Sequence, residues 1–266
     1  MKKTVEEIKS YWDQRIAKSK DLWDGVLWEG MPTWNKYIDE LQMYYLKKVF
    51  NMIRPSDIVL DLGCGVGRFT FRLAHLCKVV YGVDSSKHAI DICIKKAIDG
   101  GFSNVKFEVM DVRKLNFEDE TFDLVLSVTC LQHITDVHDL TVAIREALRV
   151  TKKEGKVILL ECTTDKRKDG FVVSLPRNKW FEIIKDAGGK IEDWYGIDVP
   201  FLRKIILPLL SSTRKIKVDK LRKLIEMVII YLFIKPIEYT IPKILKNQSW
   251  YTVVIISKQI DESAKK

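Results

Sequence analysis

The sequence predicts an α/β protein with a mainly parallel sheet, and three observations carry that expectation. From about residue 58, short apolar β-type runs alternate with amphipathic helical stretches. A glycine-rich turn joins the first of these runs to the helical stretch after it. With 266 residues, 47% hydrophobic and 30% charged, and only 13 Gly and 7 Pro, the chain can bury a sizeable core and does not fit collagen-like or disordered classes.

The elements follow in order. Strands are expected over 58–62, 79–83, 105–110, 122–128 and 156–160. Helices are expected between them over 68–76, 87–99 and 139–150, then over 178–187, where Gly188 and Gly189 supply a stop. A sixth strand fits 191–195, and the β-rich run WYTVVIIS, 250–257, closes the sheet after a long interruption. Two segments stand outside the repeat. Residues 1–50 read as a helical cap holding Trp12, Trp23, Trp28 and Trp34. Residues 201–248 read as a basic, amphipathic helical insertion broken by Pro208, Pro236 and Pro242. The expected organisation is therefore cap 1–50, core 51–200, insertion 201–248, final strand 249–258 and tail 259–266.

Charge is unevenly placed. Residues 1–200 carry 31 basic and 31 acidic side chains, whereas 201–266 carry 14 and 5, so the whole excess of +9 lies in the last quarter. A neutral body with a basic, apolar tail argues against a nucleic-acid binder and for a local patch facing something anionic. The charge-free runs 205–213 and 227–234 there fall short of the ~20 apolar residues of a membrane span. The opening MKKTVEEIKSYWDQR lacks the apolar stretch of a secretory signal. Five cysteines without a CxxC pair disfavour a disulfide framework or zinc site, and a reducing cytoplasm fits best.

The most informative stretch is VLDLGCGVGRFT, 59–70: an apolar strand, Asp61, then Gly63, Gly65 and Gly67. A dinucleotide fingerprint would need its third glycine at position 68, which is Arg68. Arg68 and Phe69 are assigned to the helix behind the loop. Further acids follow at strand ends. Asp84 lies 21 residues after Gly63, where a carboxylate can accept from both hydroxyls of a ribose, and Asp111 closes VKFEVMDV.

The D-x-G-x-G-x-G loop, Asp84, Asp111, the run FDLVLSVTCLQHI and the region ALRVTKKEGKVILLE, in that order, resemble the class I S-adenosylmethionine-dependent methyltransferases over 57–196. The resemblance implies a Rossmann-like, doubly wound seven-stranded sheet whose last strand, 250–257, is antiparallel. It implies S-adenosylmethionine as cofactor, held by Asp61, Gly63, Cys64, Gly65, Gly67, Asp84, Ser85, Asp111, Val112, Ser127 and Val128. Asp61 also reads as a brace for the loop, and Asp111 is placed on the adenine amino group. His133, after the fourth strand, is the candidate general base, because neutral imidazole is the best base near neutral pH. Its structural alternative is a histidine bonded to backbone at a strand end. Gln132 and Thr129 are further pocket polars, Cys130 a small wall residue, and His75, His88 and His138 read as surface.

Missing motifs narrow the acceptor. The [DN]PP[YF] of exocyclic-amine nucleic-acid enzymes, the Pro-Cys of RNA cytosine enzymes, the paired-glutamate loop of protein arginine methyltransferases and the carboxylate cluster of magnesium-dependent enzymes are not found. The expectation is methyl transfer to a small-molecule or lipid-like acceptor without metal. Residues 201–248 are expected to form either an anionic-membrane surface or an acceptor lid. A cofactor-retaining membrane scaffold and a nicotinamide-dependent oxidoreductase are the alternatives.

Overall fold

The computed structural model describes residues 3–18, 31–164, 171–173, 175–198, 200–213, 215–237, 239 and 249–259. Trp23, Trp28, Pro242 and the tail from 260 onward lie outside them. The helices α1 (Val5–Lys18) and α2 (Pro32–Phe50) precede the sheet. The chain then runs β1 (Ile58–Leu62), α3 (Thr70–Leu73), β2 (Val79–Asp84), α4 (Lys87–Asp99), β3 (Val105–Val109) and β4 (Phe122–Val128). A 3-10 turn (Leu131–His133), α5 (Val137–Val150), β5 (Thr151–Cys162), α6 (Arg177–Asp186) and β6 (Gly189–Ile197) follow. The insertion holds α7 (Pro200–Thr213), α8 (Asp219–Val228) and a π turn (Ile229–Ile234), and β7 (Tyr251–Lys258) ends the sheet.

The seven strands lie in the order β3-β2-β1-β4-β5-β7-β6. All pairs are parallel except those of β7, which runs antiparallel between β5 and β6. This is the expected doubly wound sheet with a reversed last strand. Side chains alternate between its faces with a period of two. Val59, Leu124, Leu126, Ile158 and Leu160 enter one core together with Trp34, Tyr37 and Leu41 of α2. Leu60, Val125, Val157 and Leu159 enter the other with Leu140 and Ile144 of α5 and Trp180 of α6.

Several boundaries need correction. The helix expected over 68–76 shrinks to Thr70–Leu73, because Gly67 and the preceding turns occupy its start. Gly188, at φ +91°, makes the stop after α6, while Gly189 is already the first residue of β6. The fifth strand starts five residues early, where Thr151 pairs with Phe122. Pro208 sits inside α7 instead of ending it, since a proline removes one ladder bond and disturbs one turn. The π turn ends just before Pro236, and the wider turn eases the clash between a proline ring and the carbonyl four residues back.

Candidate active site

The sheet reverses its direction of growth between β1 and β4, and the loops after β1 to β4 open at this switch point, where ligands of such sheets bind. The loop after β1 is stitched to β2: the N–H groups of Gly63 and Cys64 both donate to the Val83 carbonyl at 2.8 and 2.9 Å. Gly63 has φ +73°, and a Cβ there would lie 2.1 Å from the Cys130 sulfur, so only glycine allows this loop to rest on the one after β4. Asp61 is fully buried beneath the loop and accepts from the Thr70 hydroxyl at 2.5 Å, which is the expected brace. Burial pushes its carboxyl up to about 6.

Asp84 ends β2 as expected, and its two oxygens accept from the N–H groups of Gly65 and Ser86, each at 2.9 Å. Burial raises its carboxyl above the usual range, with the nearby Asp13 adding to the effect and the backbone donors opposing it. A carboxylate offers about four lone-pair sites, so Asp84 keeps room for another donor. After β3, Asp111 is exposed and clasped by Arg113, with Nη2 to Oδ2 at 2.6 Å, which lowers its carboxyl. Arg113 also reaches Asp139 at 2.5 Å. The carboxylate expected to meet adenine thus already has an intramolecular cation.

After β4, Thr129 adopts φ +54°, unusual for a β-branched residue, and its N–H donates to the Leu160 carbonyl at 2.8 Å. The next turn is organised by Glu161, which is 1% exposed on β5. Its carboxyl oxygens accept from the Ser127 hydroxyl at 2.8 Å and from the N–H groups of Cys130, Leu131 and Gln132 at 3.3, 3.1 and 3.1 Å. Desolvation raises Glu161 to about 7 against these donors. Gln132 accepts from the Cys162 N–H through Oε1 at 2.9 Å, which turns its amide nitrogen toward His133 Nε2 at 3.4 Å. His133 Nδ1 lies 2.7 Å from the Phe171 carbonyl, so this nitrogen carries the proton and Nε2 holds the lone pair. The backbone bond of the structural alternative therefore exists, while Nε2 faces the Gln132 amide nitrogen.

Asp61, Gly63, Cys64, Gly65, Asp84, Ser85, Asp111, Val112, Val128, Thr129, Cys130 and His133 all line one cavity. Gly67 and Ser127 do not. Gly67 turns toward Phe71, whose ring a Cβ would meet at 2.5 Å, and Ser127 is fully buried on Glu161. His75, His88 and His138 are exposed, as expected.

Residues missed in the sequence complete the walls. Arg68 and Phe69 precede α3 and face the cavity instead of belonging to a helix behind the loop. The Arg68 side chain is 7% exposed and paired with Asp39 of α2 at 2.9 Å. Ile8, Lys9, Trp12 and Ile16 of α1 form the roof. The aromatic cap was noted, but the cavity-facing side of α1 only shows once Ile16 packs on Val66 and Ala89, and Ser86 donates to Asp13. Trp12 meets the His133 ring edge-on at 4.9 Å. Among the described residues, no group of three His, Cys, Asp or Glu side chains is placed to hold a metal ion.

A family model for a methyltransferase domain matches residues 53–202. The chain belongs to this family. With it comes membership of the class I S-adenosylmethionine-dependent methyltransferases. Phosphoethanolamine N-methyltransferase 2 of Caenorhabditis elegans is 34% identical over 113 residues, 42% of this chain and 25% of that protein. The ubiquinone/menaquinone biosynthesis C-methyltransferase UbiE of Teredinibacter turnerae is 29% identical over 206 residues, 75% and 70% of the two chains. The crystal structure of the [4+2]-cyclase SpnF superposes with a TM-score of 0.65 at 19% identity and covers 98% of each chain, a likeness of fold. The chain spans a quarter to about half of the length of the first curated relatives it matches. The residues of this cavity fit S-adenosylmethionine: the glycine cradle, the Asp84 carboxylate and the side chains of Phe69 and Val112 suit a ligand bearing hydroxyls, an amine and a ring.

Proposed function

We propose that this protein transfers the methyl group of S-adenosylmethionine to a small-molecule or lipid-like acceptor. The observation that carries the reading is the convergence of the glycine loop, Asp84, Asp111, Val112 and His133 on one cavity at the switch point. When bound there, S-adenosylmethionine supplies an electrophilic methyl group, so the chain's own task is positioning and exclusion of water. Gly63 and Gly65 let the loop backbone lie close to the ligand and Asp84 takes its hydroxyls, with Asp61 and Val83 keeping the loop in place. Trp12, Ile8 and Ile16 roof the cavity and keep water out. His133 Nε2 accepts the proton of an acceptor that must lose one, such as a hydroxyl, while the Phe171 carbonyl fixes the tautomer.

The relatives act on phosphoethanolamine and in quinone biosynthesis by their names, which supports a small acceptor. The apolar roof supports a lipid-like one, and the balanced charge of residues 1–200 supports an acceptor other than nucleic acid. Five cysteines without a CxxC pair support a reducing compartment such as the cytoplasm. Arg68 at the third glycine position disfavours the nicotinamide-dependent oxidoreductase.

Calorimetry with S-adenosylmethionine and with NAD tests the site: tight binding of the first alone is expected, and preference for NAD overturns the reading. Transfer of isotopically labelled methyl to a metabolite or lipid extract then separates an enzyme from a cofactor-retaining scaffold. With a hydroxyl acceptor in hand, His133→Ala lowers turnover by ~10² and leaves cofactor affinity nearly intact. An unchanged pH–rate profile would show that positioning alone suffices.

A further inference from the structure

The insertion contains an amphipathic helix none of whose residues is buried. Leu221, Leu224 and Val228 recur at helical spacing on the outer side of α8, and all three are exposed. The π turn continues the stripe with Leu232 and Phe233, 66% and 64% exposed, and Val218 and Met227 adjoin it, exposed as well. The inner side is already occupied. Ile230 and Ile234 are buried in the core that includes α2. Glu226 accepts from the hydroxyls of Thr33 and Thr213 at 2.7 and 2.8 Å, and Tyr231 and Lys235 both donate to Glu40, at 2.8 and 2.9 Å. The element is thus seated on α2 by one side and turns a second apolar side to solvent, a patch of the kind that marks an interaction surface.

Charge selects the partner. Arg222 and Lys223 share the Asp219 carboxylate, and Arg222 also approaches Glu226 at 4.0 Å, so these two cations face two carboxylates. Lys215 and Lys217 just before α8 and Lys220 in its first turn are exposed and have no carboxylate partner among the described residues. We propose that this face docks on an anionic lipid bilayer, with the three lysines at the headgroups and Leu221, Leu224, Val228, Leu232 and Phe233 entering the headgroup–acyl boundary. A second copy of the chain is a poorer occupant, because two such faces in contact would bring both sets of lysines together. The helix lies on the surface, since no helix among the described residues is long and apolar enough to cross a membrane. The inference goes beyond methyl transfer, and its test uses neither cofactor nor acceptor, so the two can fail separately.

The test is co-sedimentation of the full chain with vesicles of phosphatidylcholine alone and of phosphatidylcholine with phosphatidylglycerol, at low and high salt. Binding is expected to the anionic vesicles only and to fade with salt. The triple variant Lys215→Gln, Lys217→Gln, Lys220→Gln should partition on the order of 100-fold more weakly. The pair Leu232→Ser, Phe233→Ser should also bind more weakly and melt like the wild type, so that loss of folding does not explain the loss of binding; the lysine variant carries the test if that pair does not fold. Failure of the wild type to sediment with anionic vesicles, equal binding to neutral ones, or indifference to the three lysines overturns the proposal. So does a wild-type dimer, by analytical ultracentrifugation, that the serine pair dissociates and that ignores vesicles.

Discussion

The turn around Glu161 and the outer face of α8 treat their side chains in opposite ways. Around Glu161, polar groups are buried and supplied with donors: one carboxyl takes a serine hydroxyl and three backbone N–H groups. On α8 and the π turn, leucines and a phenylalanine face water while neighbouring lysines lack carboxylate partners among the described residues. Burying a polar group is tolerable only with its hydrogen bonds made, so the first region is built to hold its own geometry. Exposed apolar area beside lysines adds nothing to the packing of the chain itself, and it is the area that the proposed bilayer docking would cover.

The sharpest way to break the first region is Gly63→Val. Its side chain would start 2.1 Å from the Cys130 sulfur on a backbone at φ +73°, and overpacking plus left-handed strain together cost about 3 kcal/mol or more. A fall in melting temperature with cofactor binding lost in calorimetry is expected; a stable, binding-competent variant would mean that the two loops do not need their close approach.

Glu161→Gln tests the region through pH. Because burial lifts the folded-state value to about 7 from 4.5, the folded chain holds this proton more tightly than the unfolded one. The group's contribution to stability is therefore full below about pH 4.5 and is lost as pH rises to 7, a change of about 3 kcal/mol. The glutamine variant lacks that slope, so the difference between wild-type and variant unfolding free energies, from denaturant titrations between pH 4.5 and 7.5, should run in this direction. Parallel curves would contradict the burial argument.

Asp84→Asn should weaken S-adenosylmethionine binding by about 1.5–3 kcal/mol in calorimetry, since acceptors of charge-assisted hydrogen bonds are lost. The smallest effect belongs to the second region. Leu232→Ser should change stability by no more than about 0.5 kcal/mol, whereas Ile230→Ala on the buried side of the same turn should cost about 2–5 kcal/mol. Equal costs in thermal or chemical denaturation would erase the distinction between the two sides.

These contrasts also mark what the sequence could show. The strand runs, the glycine loop and Asp84 were legible because each follows from a local pattern of period, turn chemistry and spacing. Glu161 was not, since its role depends on β5 running past the end of β4, where Val128 pairs with Leu160 and the next residue meets the loop. Arg68 looked like a helix residue because the turn that holds it outside α3 is fixed by contacts with α2. The roof residues Lys9 and Trp12 belong to a helix whose inward side is set by distant partners on α4. In the insertion, the mixture of lysine and leucine was plain, but only the packing of Ile230 and Ile234 shows which apolar residues are spent on the core.

The strand pair β6–β7 gives the insertion a narrow neck. Ile197 pairs with Tyr251, and the Trp250 N–H donates to the Asp198 carbonyl at 2.9 Å, so the chain leaves the sheet and returns to it at one point. Closing a loop of any length at a fixed neck costs only about 0.6 kcal/mol for each doubling. Loop closure therefore leaves the sheet nearly indifferent to the length of what hangs from it, so residues can be added or lost at this neck while the strand register stays as it is, provided that the part packed on the core through Ile230 and Ile234 is kept.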